Sequence, residues 1–332
     1  MIVEKIIVTG SCGFIGFNFI KSLKENHEII GIDSVNNAYD PKLKELRLKE
    51  LKKMSNFKFL KIDLSEINEI QNNKNLLAGS NTIFHLGARA GVRQSYLEPY
   101  KYIRDNTTAS VNVALLAKDL QINNIILAST SSIYGDTGNN FATENKDELN
   151  EPPSIYAATK SFGETLVKNV LSENEKKIKI ARFFTVYGPY GRPDMSILRF
   201  IHWILTGKEV IIYGNGEQRR SFTYVMDIIN GLNKLKNYEK SDTFNFGSDT
   251  TWSLIEIINK IETSLGKKAN LVFKERAFRD VDVVLPNLNK SQKKLGWQPK
   301  IDIEEGLDKT IEWYKNNEDY LKNVKFKYSY EK

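Results

Sequence analysis

Short, largely apolar runs recur along the first half of the chain, at 5–8, 28–32, 57–62, 82–86, 124–128 and 178–184. Runs of that length read as strands buried on both faces. Between them apolar residues return every three or four positions, as at 43–54 and 110–120, which predicts amphipathic helices. The alternation predicts βαβ units in the α/β class: a doubly wound parallel sheet with helices on both faces. Ligands of such sheets sit at the carboxyl ends of the strands. After Phe184 the rhythm breaks at Gly188, Pro189, Gly191 and Pro193. Helices are then expected over 197–205 and 254–265, a short strand over 209–213, and a strand at 243–246 that returns to the sheet.

The first strand runs into Thr9-Gly10-Ser11-Cys12-Gly13-Phe14-Ile15-Gly16, and apolar positions at helical spacing follow. Strand, glycine turn and helix start make a diphosphate cradle. Gly10 permits a tight turn, Gly13 lets amides approach phosphate oxygens, and Gly16 lets the helix pack against the sheet. The helix N-terminus offers unpaired N–H groups to an anion. The GxxGxxG spacing alone is weak and fits a plain strand-to-helix turn. Asp33 changes the balance. It ends the second strand about 20 residues on, where a dinucleotide fold places its ribose-binding acid, and it disfavours a 2′-phosphate. NAD is therefore expected over NADP. The expected division is a Rossmann domain over 1–184, with 222–247 returning to it, and a smaller C-terminal substrate-binding lobe over 185–332.

Composition narrows the classes. The 332 residues are 41% hydrophobic and 27% charged, as in a water-soluble globular protein. No apolar run reaches the ~18 residues of a membrane span, and the N-terminus enters a strand at once, leaving no room for a signal peptide. The single cysteine, Cys12, rules out an internal disulfide and suggests a reducing compartment, so a cytoplasmic protein is expected. Cys12 reads as filler in the loop. The net charge of +7 comes from scattered Lys and Arg with acids among them, as in Lys42 to Lys53, which reads as a solvated helix face. No basic stripe with interleaved aromatics appears, so neither nucleic acid nor membrane is expected as a partner. His85 reads as a packed strand-end residue. His27 and His202 have no ligand cluster at metal spacing, and Trp203, Trp252 and Trp297 read as packing residues.

Tyr156 and Lys160 stand at i and i+4, on one helix face. An ammonium near a phenol lowers its pKa, and a phenolate there can take a hydroxyl proton as hydride leaves the same carbon. Tyr-x-x-x-Lys alone also arises by chance on exposed helices. Downstream of a dinucleotide loop and of the Ser129-Thr130-Ser131-Ser132 cluster it gains weight.

These elements, with Asp63-Leu64, His85-Leu86-Gly87-Ala88 and Asn106, resemble the extended short-chain dehydrogenases/reductases over nearly the whole chain. Three further stretches narrow the resemblance to the UDP-glucuronate 4-epimerases. They are Asn36 to Leu43, Ala90-Gly91-Val92-Arg93-Gln94-Ser95, and above all Arg182 to Met195; Phe222-Thr223-Tyr224 after Arg220 agrees. The resemblance implies an NAD-dependent 4-epimerase acting on a UDP-uronic acid, most often as a homodimer through helices near 100–118 and 154–171. It implies Thr130 on the C4 oxygen, Tyr156 as base and Lys160 as its activator and ribose ligand. Gly10, Gly13, Phe14, Ile15 and Gly16 would hold the diphosphate, Asp33 the adenosine ribose, and Asp63 and Leu64 the adenine. Leu86, Ala88, Asn106 and Ser129 would complete the cofactor site. Arg220 would pair with the UDP diphosphate, Tyr213 would meet uracil, and Arg93 would lie on the substrate side.

A uronic acid adds a hazard. In a 4-keto sugar the C6 carboxylate is β to a ketone and leaves as CO₂ when its bond stands perpendicular to the carbonyl plane. Hydroxyls of Ser131 or Ser132 and of Thr185, with the Arg192 guanidinium, can hold it out of that alignment. The plainer reading of Arg192 is a loop arginine paired with Asp194. Related dehydratases carry Asp-Glu after the threonine, and related decarboxylases a Glu at the second position. Ser131 and Ser132 offer no such acid, which argues for epimerisation, with another UDP-hexose, decarboxylation or a non-catalytic scaffold as the alternatives. The chain departs from the pattern at Arg89, Ser221, Phe278-Arg279-Asp280 and Asn287, and Arg276 or Arg279 is a candidate second phosphate contact.

Overall fold

The computed structural model describes residues 4–138, 140–145, 151–172, 176–276 and 281–326. Seven parallel strands form the central sheet: β1 Glu4–Thr9, β2 His27–Asp33, β3 Phe57–Lys61, β4 Thr82–His85, β5 Asn124–Thr130, β6 Lys177–Phe183 and β7 Asp242–Phe246. Their order is β7-β6-β5-β4-β1-β2-β3. This is the doubly wound Rossmann-like arrangement. Alternate residues of each strand feed separate cores on the two faces. Ile6 and Val8 join Phe84 and the helix Phe14–Ser22 on one side. Ile7 joins Ile30, Ile83, Ile125 and Val167 on the other.

The order reverses between β1 and β4, and the crevice opens there. The two strand ends approach so closely that a Cβ on Gly10 would lie 2.7 Å from the Gly87 Cα. After β6 the chain builds short pairs near this edge: Thr185–Tyr187 with Phe222–Tyr224, Glu209–Tyr213 with Asn270–Lys274, and Arg219–Arg220 with Trp252–Ser253.

Some local expectations need correction. The helical run near 100–118 is not one α-helix. Pro99–Tyr102 passes into a π-helical turn, Ile103–Thr108, before Ala109–Asp119. The expected helix over 43–54 runs Lys42–Leu51, and it is not solvated throughout, since Lys44 and Arg47 are buried. No described helix is long and apolar enough to cross a membrane.

Candidate active site

Each glycine of the loop has a distinct steric reason. Gly10 sits at φ +67°, and a Cβ on Gly13 or Gly16 would come within 2.9 or 2.2 Å of the Gly10 carbonyl oxygen. The cradle therefore exists only without side chains, and the helix Phe14–Ser22 starts directly behind it with no acid in its first turn. Asp33 ties the loop to β2: its carboxylate accepts from the Cys12 amide (3.0 Å) and the Val35 amide (2.8 Å). Cys12 is buried, its thiol pushed up to about 12, chiefly by burial. It is filler, not a nucleophile.

One cleft gathers most of the expected cofactor residues. Gly10, Gly13, Phe14, Ile15 and Gly16 form its floor, and Asp33, Asp63 and Leu64 one wall. Leu86, Ala88, Ser129, Tyr156, Lys160 and Arg192 form the other. Asn106 stands behind that wall. Its side chain accepts from the Arg89 amide (2.7 Å) and donates to the Arg89 carbonyl (3.0 Å) and Thr159 Oγ1 (3.0 Å). The π turn aims Asn106 at these groups, so it fixes the loop after β4 against the helix bearing Tyr156 and Lys160. The cleft, closed to Cβ atoms at its floor and edged by a fixed carboxylate, fits a dinucleotide.

Ser154 caps the helix Ile155–Val170 by accepting from the Ala157 amide at 3.1 Å, which fixes where Tyr156 and Lys160 fall. Burial pushes the Tyr156 phenol above its ordinary value, while its hydrogen bond with Thr130 and the charge of Arg192 pull it down. Arg192 is thus one cation that pulls the phenol down. Lys160 is itself lowered to about 8, by burial against the countering charge of Glu164. Thr130 Oγ1 also accepts from the Ser132 amide at 3.1 Å.

Below the helix lies a filled polar layer. Ser129 Oγ donates to Glu164 Oε1 (2.5 Å), and Arg182 grips Glu164 through Nε (3.0 Å) and Nη2 (2.8 Å). Arg182 also donates to the Tyr134 hydroxyl, which donates to Asn245 on β7. His85 is packed as expected, hydrogen-bonded to Thr9 (2.8 Å) and Ser110 (3.1 Å).

The expected substrate residues fall outside the first cleft, Arg192 excepted. Ser131, Ser132, Thr185 and Arg220 line a neighbouring pocket. A small cavity between them shares Phe14 and Arg192 with the first and Thr185 with the second. Arg192 does pair with Asp194 (3.0 and 2.5 Å) and also donates to the Ala90 carbonyl (3.2 Å), yet its side chain still reaches the cleft wall. Arg220 Nη1 donates to the Arg219 and Asp282 carbonyls, and the Arg93 guanidinium lies over the Tyr213 ring at 5.1 Å. The Arg89 guanidinium is spent on Asp105 (2.7 Å), with Glu98 at 3.9 Å. Arg276 Nη1 pairs with Asp282 at 2.6 Å. Arg279 lies outside the described residues, and among the described residues no metal-ligand cluster occurs. Sequence reasoning missed Lys44 and Asp105, which line the cleft, and Arg47 and Glu164 behind it. For Arg47 the signal was present: Leu43, Arg47 and Leu51 repeat at helical spacing on one apolar face.

Lys160 yields a test of this electrostatic picture. Its folded pKa, about 8, is below the ordinary 10.5, so below pH 8 the fold carries the cost of a buried cation. Between pH 8 and 10.5 the unfolded chain binds more protons, and stability rises with pH. Lys160→Met is expected to be more stable than wild type at pH 7 by on the order of 1–3 kcal/mol, the gain fading as pH approaches 10.5. Urea unfolding at both ends of that range measures it. An equal deficit at both pH values would contradict the burial account.

A parallel doubly wound sheet, a glycine cradle with a strand-end acid, and Tyr156 and Lys160 on one buried helix turn define an extended short-chain dehydrogenase/reductase. More particularly, the chain belongs to the family described as GDP-mannose 4,6 dehydratase, which it matches over residues 7–310. It is 40% identical to the UDP-glucuronate 4-epimerase of Thermodesulfobacterium geofontis over 96% of this chain and 98% of that one. It is 33% identical to protein CapI of Staphylococcus aureus over 93% and 98%. Among solved structures it resembles the Bacillus cereus UDP-glucuronic acid 4-epimerase in complex with UDP-glucuronic acid and NAD. There the TM-score is 0.88, with 30% identity over 94% of this chain and 99% of that one.

Proposed function

We propose that this protein is an NAD-dependent epimerase that inverts C4 of a UDP-uronic acid, converting UDP-glucuronate to UDP-galacturonate. The observation that carries the choice within the family is the end of β5. Thr130 touches the Tyr156 phenol there, and Ser131 and Ser132 follow without a carboxylic acid. Elimination of water needs a proton donor in that place, so the family's dehydratase description does not transfer to the reaction.

Gly10, Gly13, Phe14, Ile15 and Gly16 hold the NAD diphosphate, Asp33 the adenosine ribose, Asp63 and Leu64 the adenine. Leu86, Ala88 and Ser129 line its path, with Asn106 holding the wall behind. Bound NAD would supply the hydride acceptor and donor that inversion at C4 needs. Tyr156 removes the C4 hydroxyl proton and gives it back after the sugar has turned. Thr130 hydrogen-bonds the C4 oxygen throughout. Lys160 holds the nicotinamide ribose and adds positive charge at the site. The protein alone leaves the phenol above its ordinary value; a positive nicotinamide ring beside it would pull it further toward phenolate. Arg220, Tyr213 and Arg93 hold the UDP end. Arg192, Thr185 and the two serines hold the carboxylate out of the alignment for CO₂ loss.

In this reading 1–184 with 222–247 forms the cofactor part and 185–332 otherwise the substrate part; β7 lying beside β6 supports that division. The cytoplasm suits both small molecules. Tyr100, Ile103 and Phe162 stand exposed on helical segments that pack together. This supports a homodimer through that face. Sedimentation is expected to give a dimer for wild type and a monomer for Tyr100→Glu combined with Phe162→Glu.

Incubation with UDP-glucuronate and NAD, followed by NMR of the sugar nucleotides, tests the function. UDP-galacturonate is the expected product. A UDP-pentose with CO₂ as the main product, or no conversion of any UDP-sugar, overturns it.

A further inference from the structure

Arg47 is fully buried, on the helix Lys42–Leu51, and no carboxylate among the described residues pairs with it. Its side chain instead spends every N–H it has on neutral oxygens. Nε and Nη2 both donate to the Tyr190 carbonyl (3.2 and 2.8 Å), and Nη2 also donates to the Gly191 carbonyl (2.9 Å). Nη1 donates to the Cys12 carbonyl (2.9 Å) and to the Tyr39 hydroxyl (2.7 Å). One planar cation thus joins three pieces of the site: the back of the glycine loop, the turn that leads into Arg192, and a ring of the cleft wall.

Each joined piece bears on Arg192. Tyr190 sits at φ +60°, a conformation a bulky side chain rarely adopts without outside support. The paired bonds to its carbonyl supply that support, and its ring is lodged between Phe17 (4.4 Å) and Trp313 (4.8 Å). Arg192 leaves this turn, and its guanidinium lies over the Tyr39 ring at 5.4 Å. The Tyr39 hydroxyl, in turn, is held by Arg47. Both the backbone that carries Arg192 and the ring beneath its head are therefore set by the same buried fork, which leaves the cleft itself to Tyr39, Lys44 and Arg192.

We propose that Arg47 is a positioning residue that locks the cofactor loop to the Arg192 turn and so fixes the angle at which the uronate carboxylate is held. This rests on the proposed epimerase function. The consequence is a partition between two outcomes for the 4-keto sugar. Held in the carbonyl plane, the carboxylate stays and the hydride returns. Allowed to swing, the C5–C6 bond breaks and CO₂ leaves. The bonding pair passes to C5 and the C4 oxygen as an enolate, water supplies a proton to C5, and hydride return gives a UDP-pentose.

The test compares wild type, Arg47→Met and Tyr39→Phe, with Arg192→Ala as reference, each incubated with NAD and UDP-glucuronate. For Arg47→Met the ratio of UDP-pentose to UDP-galacturonate is expected to rise about tenfold or more toward that of Arg192→Ala. The dissociation constant for NAD without sugar is expected to rise about tenfold, because Cys12 has lost its anchor. Tyr39→Phe, which removes one acceptor and leaves Arg47, is expected to raise the product ratio by a smaller factor. A purely structural arginine would lower the melting temperature and leave the product ratio and NAD affinity at wild-type values, which overturns the proposal. If Arg47→Met does not fold, Tyr39→Phe decides: a raised ratio supports the proposal and an unchanged one overturns it. A wild type that makes no UDP-galacturonate sinks the functional reading instead. NAD affinity of the same variants then judges Arg47.

Discussion

Tyr156→Phe is expected to lower the epimerisation rate by about 10³-fold or more while NAD affinity stays within a small factor of wild type. The substitution removes one oxygen and keeps the ring, so the edge-on contact with Tyr102 at 6.2 Å survives. The cradle glycines, Asp33 and Lys160 are untouched, so cofactor binding has no reason to change. What is lost is the phenol, hydrogen-bonded to Thr130, that takes a proton from the sugar hydroxyl and gives it back. Thr130 cannot replace it, because an alcohol is a far weaker acid than a phenol. Steady-state conversion of UDP-glucuronate and a separate NAD titration measure the two halves. A variant that keeps a tenth of the wild-type rate would remove Tyr156 as the base.

The surroundings of that phenol mark how far the sequence could be read. Tyr156, Lys160 and the loop glycines were legible because local spacing places them: an i, i+4 pair on a capped helix, and a strand-turn-helix unit. The strands were legible because both sheet faces are buried, which leaves apolar runs such as Ile6-Ile7-Val8. Their ends were less so. Leu86 is already in the turn after β4, its amide donating to the Phe84 carbonyl. The π turn at Ile103–Thr108 has no sequence signature, since tertiary partners of Asn106 hold it. Lys44 reads as part of a charged helix although its acceptor, Asn36, lies only eight residues back, and Arg47, despite its place on the apolar face with Leu43 and Leu51, could not be given its acceptors from the sequence. For Arg47 those acceptors include Tyr190 and Gly191, more than a hundred residues away. Arg93, Tyr213 and Arg220 carry no spacing rule of their own. Only the resemblance singled them out, and the structure sets them apart from the main cleft.

Gly16→Ala is expected to weaken NAD binding by about 100-fold or more and to lower the melting temperature, although the change adds a better helix former. Propensity and packing make opposite predictions here, which is why the variant is informative. Gly16 lies in the first turn of the helix Phe14–Ser22, where replacing glycine by alanine ordinarily stabilises by about 1 kcal/mol. Its Cβ, however, would stand 2.2 Å from the Gly10 carbonyl oxygen and 2.9 Å from the Gly10 carbonyl carbon. Both are backbone atoms, so no side-chain rotation relieves the contact. Gly10 cannot retreat, since it already lies against Gly87 at the end of β4. The helix must therefore move off the sheet, and its first-turn amides move with it, away from the place where the diphosphate would lie. Gly163→Ala serves as the control. On the helix Ile155–Val170 its Cβ would meet the Ser110 side chain at 3.4 Å and the Asn106 carbonyl oxygen at 3.9 Å, ordinary contact distances that need no backbone shift. Calorimetric titration of NAD into both variants separates the accounts. Near-wild-type affinity in Gly16→Ala would mean that the loop yields where the structure says it cannot, and the close approach of helix to strand would no longer explain the third glycine.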